Sequence, residues 1–322
     1  MTGVERTPLT VAVTGATGFL GQKVIAALAS QGCHLRLLAR REPLGLAAIA
    51  GTQPDIVLGS LDDRAALGRL VQGVDVVLHV AGAIKAIDDA AYLRVNRDGT
   101  RALAEQVAAY APNAHFILVS SLAARHPELS GYAASKRAGE QAVVDVLGLQ
   151  RVSIVRPPAI YGPGDRETMI FFELASRKLV PLPGKPGARI ALIHVDDAVQ
   201  SLVARVFGAP TARVQAIADE RPDGYSWREI LGAASSAVGN TSPRYFSLPG
   251  GLVKAVGGGA GAIARIVGKA GMVSAGKIRE LLHEDWAVHA DELLREKGAE
   301  PKHNLPDGFA STAVWYRDAG WL

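Results

Sequence analysis

Residues 11–21 read VAVTGATGFLG. An apolar run stops at Thr14, glycines follow at a spacing of three (Gly15, Gly18, Gly21), and a helical pattern opens through Val24, Ile25 and Leu28. A strand, a tight glycine turn and a helix N-terminus in that order make an anion site. Glycine reaches backbone angles closed to other residues and lets the main chain approach a pyrophosphate. The phosphate charge is favoured by the unpaired N–H groups and the dipole at the helix start. Because this fingerprint follows a strand and heads a βαβ unit, it predicts a dinucleotide site on an α/β fold, a Rossmann-type doubly wound parallel sheet.

Outward from that turn, residues 34–39 read as a second strand ending in Arg40-Arg41. An acidic residue at this distance holds the adenosine ribose of NAD; a guanidinium instead suits a 2′-phosphate through charge-assisted hydrogen bonds. NADP(H) is therefore the expected cofactor and NAD(H) the alternative, with Arg40 and Arg41 then merely solvated. Residues 56–59 form a third strand, followed by Ser60-Leu61-Asp62, and residues 74–80 a fourth, followed by Ala81 and Gly82, small enough for a cofactor to lie close. A helical pattern over residues 89–110 carries Asn96. A fifth strand, residues 116–119, ends in Ser120-Ser121, and a sixth spans residues 152–156.

Residues 131–136 read GYAASK and open a helix to about residue 147. Tyr132 and Lys136 are four apart and share one helix face. A tyrosine is normally too weak an acid to exchange protons near neutrality; a neighbouring ammonium favours the phenolate and lowers that pKa. A serine hydroxyl from the preceding strand end would orient a substrate carbonyl beside it.

With these residues in place, the chain resembles the extended branch of the short-chain dehydrogenase/reductase superfamily, which includes NAD-dependent epimerase/dehydratases, dihydroflavonol-reductase-like enzymes and 3β-hydroxysteroid-dehydrogenase-like proteins. Residues 14–21 match the TGATGFxG fingerprint, 59–62 the acidic adenine-contacting turn, and Asn96 with Gly99-Thr100 the N-x-x-G-T helix. Residues 156–164 resemble the R-P-x-x-x-Y-G-P segment and 194–197 the H-V-D-D segment. The resemblance implies a catalytic set of Ser121, Tyr132, Lys136 and Asn96: tyrosine as acid/base, lysine also on the nicotinamide ribose, serine positioning the substrate oxygen, asparagine supporting a water relay. A one-residue slip would exchange Ser121 for Ser120, and the other role open to Asn96 is bracing its helix against the sheet. Cofactor contacts would come from Gly15, Thr17, Gly18, Phe19, Leu20, Arg40, Leu61, Asp62, Ala81, Gly82, Tyr132, Lys136 and Pro157. The resemblance also implies a homodimer through the helices at 89–110 and 131–147.

Three departures narrow the activity. Tyr132 follows Ser121 by only eleven positions, so the substrate wall built by that loop is short. The Thr-Asp-Glu of dehydratases is replaced by Ser121-Leu122-Ala123, and the asparagine of nucleotide-sugar epimerases by Ala159. The expectation is therefore an NADP(H)-dependent oxidoreductase that interconverts a carbonyl and a secondary alcohol on a small-to-medium, rather apolar substrate. The alternatives are an NAD-dependent nucleotide-sugar epimerase and a non-catalytic cofactor-binding subunit.

Composition sets the remaining bounds. The 322 residues carry a formal charge of +4 with Lys and Arg scattered, so no nucleic-acid partner is expected. One cysteine, Cys33, excludes an internal disulfide framework and fits a cytoplasmic protein. No apolar stretch spans a bilayer, so no stable membrane insertion is expected. No metal is expected either; His194 has no second ligand at sequence spacing and reads as a structural histidine, with Asp196 and Asp197 capping the next helix. Residues 1–160 and 187–218 form the predicted dinucleotide-binding domain, and residues 161–186 and 219–322 a smaller, mostly helical substrate lobe. Within the lobe, residues 248–273 read as a helix lining an apolar pocket or, alternatively, lying at a membrane interface.

Overall fold

The structure, a computed structural model, describes residues 8–42, 53–247, 251 and 275–322. Its first half alternates strand and helix: β1 (Thr10–Thr14), α1 (Phe19–Ser30), β2 (His34–Ala39), β3 (Asp55–Leu58), α2 (Arg64–Val71), β4 (Val76–His79), α3 (Asp89–Leu93), α4 (Gly99–Tyr110), β5 (His115–Val119), α5 (Gly131–Leu147) and β6 (Val152–Arg156). The second half is more broken: β7 (Ala159–Tyr161), α6 (Met169–Ala175), β8 (Leu179–Leu182), β9 (Arg189–Ile190), β10 (Leu192–His194), α7 (Val195–Phe207), β11 (Val214–Ala216), α8 (Trp227–Ala237), β12 (Arg244–Ser247), α9 (Ala275–Leu282), β13 (Asp285–Trp286) and α10 (Leu305–Asp318).

Seven strands form one parallel sheet in the order β11-β6-β5-β4-β1-β2-β3. The continuous apolar runs follow from burial on both faces, which holds for every residue of β4, β5 and β6. Alternation along β1 splits the core: Val11 and Val13 pack with Val24 and Leu28 of α1 and Leu202 of α7, while Ala12 faces Leu67, Leu103 and Val143 of α2, α4 and α5. A third cluster away from the sheet joins Tyr161, Phe172, Ile190, Trp227, Phe309 and Tyr316. Strand order reverses between β1 and β4, and the crevice beyond their C-terminal ends is where a doubly wound sheet binds its ligand.

Several local expectations need correction. The single helix expected over 89–110 is α3 and α4 joined by a turn of π-helix, Arg94–Asp98. The extended segment from 189 breaks at Ala191, whose N–H bonds the Trp286 carbonyl, so β9 pairs with β13 and β10 with β7. Asp196 and Asp197 do not cap α7: the cap is His194, whose Nδ1 accepts the Asp196 N–H, and the Asp197 carboxylate instead accepts the N–H groups of Lys302 and His303. The cap of α8 is Ser226, in a reciprocal box with Glu229. Residues 248–273, apart from Gly251, lie outside the described residues. Among the described residues no helix is long and apolar enough to cross a membrane.

Candidate active site

The glycine turn closes over the end of β4. Gly15 has φ +77°, and a Cβ there would stand 2.6 Å from the Ala81 nitrogen, so no other residue fits between the two strand ends. Gly18 is different. It is exposed, and a Cβ would meet only the Gly15 oxygen at 3.3 Å. Packing within the chain does not demand glycine at 18. Gly18 is also the N-cap of α1 and supplies no side-chain cap, and the first turn holds no acidic residue, which leaves the helix start to an external anion. Thr17 is exposed, Phe19 half-buried and Leu20 buried along this start.

Buried hydrogen bonds fix the crevice. Thr100 Oγ1 donates to the Asn96 carbonyl (2.8 Å) and lies 2.9 Å from His79 Nε2; His79 Nδ1 lies 2.6 Å from Thr14 Oγ1. With the Thr100 proton spent, Nε2 donates and Nδ1 accepts from Thr14, a tautomer assigned from the network. Thr14 Oγ1 in turn accepts the Ala81 N–H at 3.3 Å. Full burial, with Lys136 nearby, lowers the His79 pKa to about 3 and keeps the ring neutral.

The register Val13↔Leu37 brings the end of β2 beside the glycine turn, with Arg40 and Arg41 next in the chain, both exposed. On the far side, Asp62 is exposed, and half-buried Leu61 packs against Gly99, where a Cβ would stand 2.9 Å from Leu61 Cβ. The cap of α2 is the neighbouring Asp63, which accepts from Ala66 N.

The Ser121, Tyr132 and Lys136 side chains converge at the start of α5. Ser130 caps the helix, accepting the Ala133 N–H at 2.9 Å, and the Ser121 side chain stands near enough to the Tyr132 hydroxyl to favour its phenolate. One turn on, buried Lys136 donates from Nζ to the Val119 carbonyl at 2.8 Å. Gly82 sits against both Lys136 Nζ and Asn96 Oδ1, at 3.5 and 3.2 Å from where its Cβ would be. Asn96 is spent on bracing: Oδ1 accepts from Ala83 N (2.7 Å), and Nδ2 donates to the Ala83 carbonyl (3.0 Å) and to Ser135 Oγ (2.9 Å). Buried Pro157 accepts the Leu122 N–H at 2.8 Å, tying β6 to the loop after Ser121.

The two serines separate. Ser120 Oγ donates to Glu140 (2.5 Å), which also receives Arg156 bidentately at 2.8 and 2.6 Å, all three buried. Ser121 alone of the pair acts on the phenol.

One electrostatic expectation is overturned. The Tyr132 pKa is not lowered; desolvation raises it to about 12, with Glu280 and Tyr92 adding to the rise and the Ser121 side chain opposing it. Lys136, itself desolvated, falls to about 8, against the attraction of Glu140. Burial acts on both groups and leaves the phenol protonated at neutral pH.

Tyr92, edge-on to Tyr132 at 6.0 Å, and Glu280 carry no motif and went unread in the sequence. His303 is likewise brought to His194 by tertiary packing, stacking at 3.9 Å and 23°. With Asp196 they place ligand-type atoms within 4.8 Å of one another, but near-parallel stacked imidazoles do not aim their in-plane lone pairs at one point.

Comparison with known proteins shows the same pattern. The profile described as NAD dependent epimerase/dehydratase family matches residues 11–207. The ceramide reductase of Caulobacter vibrioides is 46% identical over 314 residues, covering 97% of this chain and 96% of that protein. The 4-hydroxy-2-methyl-3-oxo-4-farnesyl-3,4-dihydroquinoline-1-oxide ketoreductase of Stigmatella aurantiaca is 33% identical over 48% of this chain and 51% of that protein. In fold, the chain is similar to the NAD complex of dTDP-glucose 4,6-dehydratase from Bacillus anthracis, with a TM-score of 0.70, 18% identity, and coverage of 97% of this chain and 98% of that one.

Proposed function

The chain belongs to the NAD-dependent epimerase/dehydratase family and is an NAD(P)-dependent reductase of the extended short-chain dehydrogenase/reductase type, and from that premise we propose that it uses NADPH to reduce a ketone on a long-chain lipid of the ceramide class. A ceramide carries a secondary alcohol beside its amide-bearing carbon, so carbonyl–alcohol interconversion on that skeleton means reduction of the corresponding ketone. Similarity to the ceramide reductase over nearly the full length of both chains supports this substrate class, as do the exposed Ile84 and Ile87 on the loop after β4. Arg40 supports the 2′-phosphate.

The observation that carries the chemistry is the convergence of Ser121 on the Tyr132 phenol, with Lys136 one turn away and anchored to Val119. When bound, the nicotinamide supplies the hydride to the carbonyl carbon. The cradle at Gly15, Thr17, Gly18, Phe19 and Leu20, with Leu61, Asp62, Ala81, Gly82 and Pro157, would hold the cofactor, and Lys136 and Tyr132 its nicotinamide ribose. Ser121 orients the substrate oxygen and Tyr132 gives it the phenolic proton. A phenol held protonated suits donation to an oxygen that becomes an alkoxide as the hydride arrives, which favours the reductive direction. In the fold of the family, α3–α4 and α5 would form the dimer face.

The test is turnover of NADPH with the 3-oxo form of an N-acyl long-chain base, with nucleotide sugars in parallel. Formation of the alcohol, lost by a factor of about 10²–10⁴ in Tyr132→Phe while NADPH still binds, is the expected result. Epimerisation of a nucleotide sugar without added cofactor would overturn it.

A further inference from the structure

The short connection from Ser121 to Tyr132 is held from outside by residues 276–292. Arg125 donates to the carbonyls of Ala287 (2.8 Å) and Asp285 (2.7 Å) and to Glu292 Oε1 (2.8 Å). The His126 ring packs 4.2 Å from His283 and 5.7 Å from Trp286. Arg279 Nε donates to the Leu129 carbonyl at 2.7 Å, and a Cβ on Gly276 would stand 2.7 Å from Ser130 Cβ. A loop too short to build its own wall is thus clasped by α9 and the strand that follows.

The innermost contact is chemical. Ser130 Oγ donates to Glu280 Oε1, and Glu280 is only 8% exposed. A carboxylate accepts and cannot donate, so it draws the Ser130 proton away from the helix and leaves a lone pair for the Ala133 N–H. The cap of the catalytic helix is thereby fixed in polarity, and a negative charge is set near that helix's N-terminus, two residues before the phenol. Lys277 Nζ lies 3.3 Å from Glu280 Oε2, and the Glu280 carbonyl accepts Trp286 Nε1 at 2.9 Å.

We propose that Glu280 is a positioning residue of the reductase site: through Ser130 it fixes the start of α5, and directly, by its own charge, it opposes ionisation of Tyr132. The inference rests on Tyr132 as proton donor. The groups acting on that phenol are Ser121 from the end of β5, Tyr92 from α3 and Glu280 from α9; Tyr92 in turn feels Glu280, Asp89 and Glu167, and Lys277 pairs with Glu280. Glu280 opposes formation of the phenolate and holds the proton until a substrate oxygen takes it.

The experiment compares Glu280→Gln, Glu280→Asp and Ser130→Ala in the full-length chain, with folding checked by circular dichroism. Ionisation of Tyr132 is isolated as the ultraviolet difference against Tyr132→Phe and needs no substrate. In Glu280→Gln the midpoint is expected to fall by about one pH unit, raising the ionised fraction at about pH 11 roughly fivefold. Glu280→Asp keeps the charge and stays with the parent; Ser130→Ala loses stability and leaves the midpoint in place. The alkaline limb of kcat for the ketone should move with the midpoint, with the Kd for NADPH unchanged. An unmoved midpoint in folded Glu280→Gln, or an equal movement in Ser130→Ala, overturns the proposal. Parent-like kcat in Tyr132→Phe instead removes the reading it rests on, so the two failures are distinct.

Discussion

Gly139 lies directly against the backbone of Asn96: a Cβ at 139 would stand 2.2 Å from the Asn96 carbonyl oxygen. This close approach seats α5 against the π turn and lets Asn96 reach Ser135 on one side and Ala83 on the other. Gly139→Ala must push α5 off that turn. A loss of about 1–3 kcal/mol in stability is expected, read by urea denaturation, with kcat falling more than NADPH affinity because Lys136 and Tyr132 ride on the displaced helix. Parent-like stability and kcat would show that the two helices yield without consequence.

Arg40→Asp tests the 2′-phosphate. Loss of a charge-assisted bond, replaced by repulsion, should weaken NADPH about 10–100-fold and leave NADH within a factor of about three. Nicotinamide fluorescence titration with both cofactors reads the difference. Equal weakening of the two would place Arg40 outside the phosphate contact.

Breaking the Glu140–Arg156 pair should be costly. Both side chains are buried, and Glu140→Gln leaves the guanidinium without its charge partner; a loss of about 3–5 kcal/mol is expected. Replacing both residues with methionine should cost less than Glu140→Gln alone. Thermal and urea unfolding of the three variants decide this.

The buried histidines predict the acid limb of stability. His79 is lowered to about 3, and His115 and His194 to about 4, in each case first by burial. As pH falls below about 6.5 the unfolded chain takes up protons that the native rings refuse, so stability is full above that value and is lost as pH falls toward these folded pKa values. Each ring contributes up to about 1.4 kcal/mol per pH unit in that window. Urea midpoints between about pH 7.5 and 5 should therefore decline, and His79→Gln should flatten the slope. An unchanged slope in that variant would remove His79 from the acid limb.

The sequence by itself determined the features whose cause is local. A glycine turn between an apolar run and a helix, a series of short apolar strands alternating with helical periods, and a tyrosine four residues before a lysine all depend on spacing within one element or its neighbours. They sufficed for the parallel sheet, the crevice at the end of β1 and the face that carries Tyr132 and Lys136. Only the tertiary structure decided which groups stand around that face. Ser120 is drawn to Glu140, twenty residues away, leaving Ser121 for the phenol. Glu280 meets Ser130 across 150 residues, and His303 joins Asp197 across 106. The direction of the Tyr132 shift followed the same rule: proximity to Lys136 was legible as a spacing, but desolvation depends on everything packed around both groups. Contacts between distant segments have no periodicity, and burial is a property of the assembled fold.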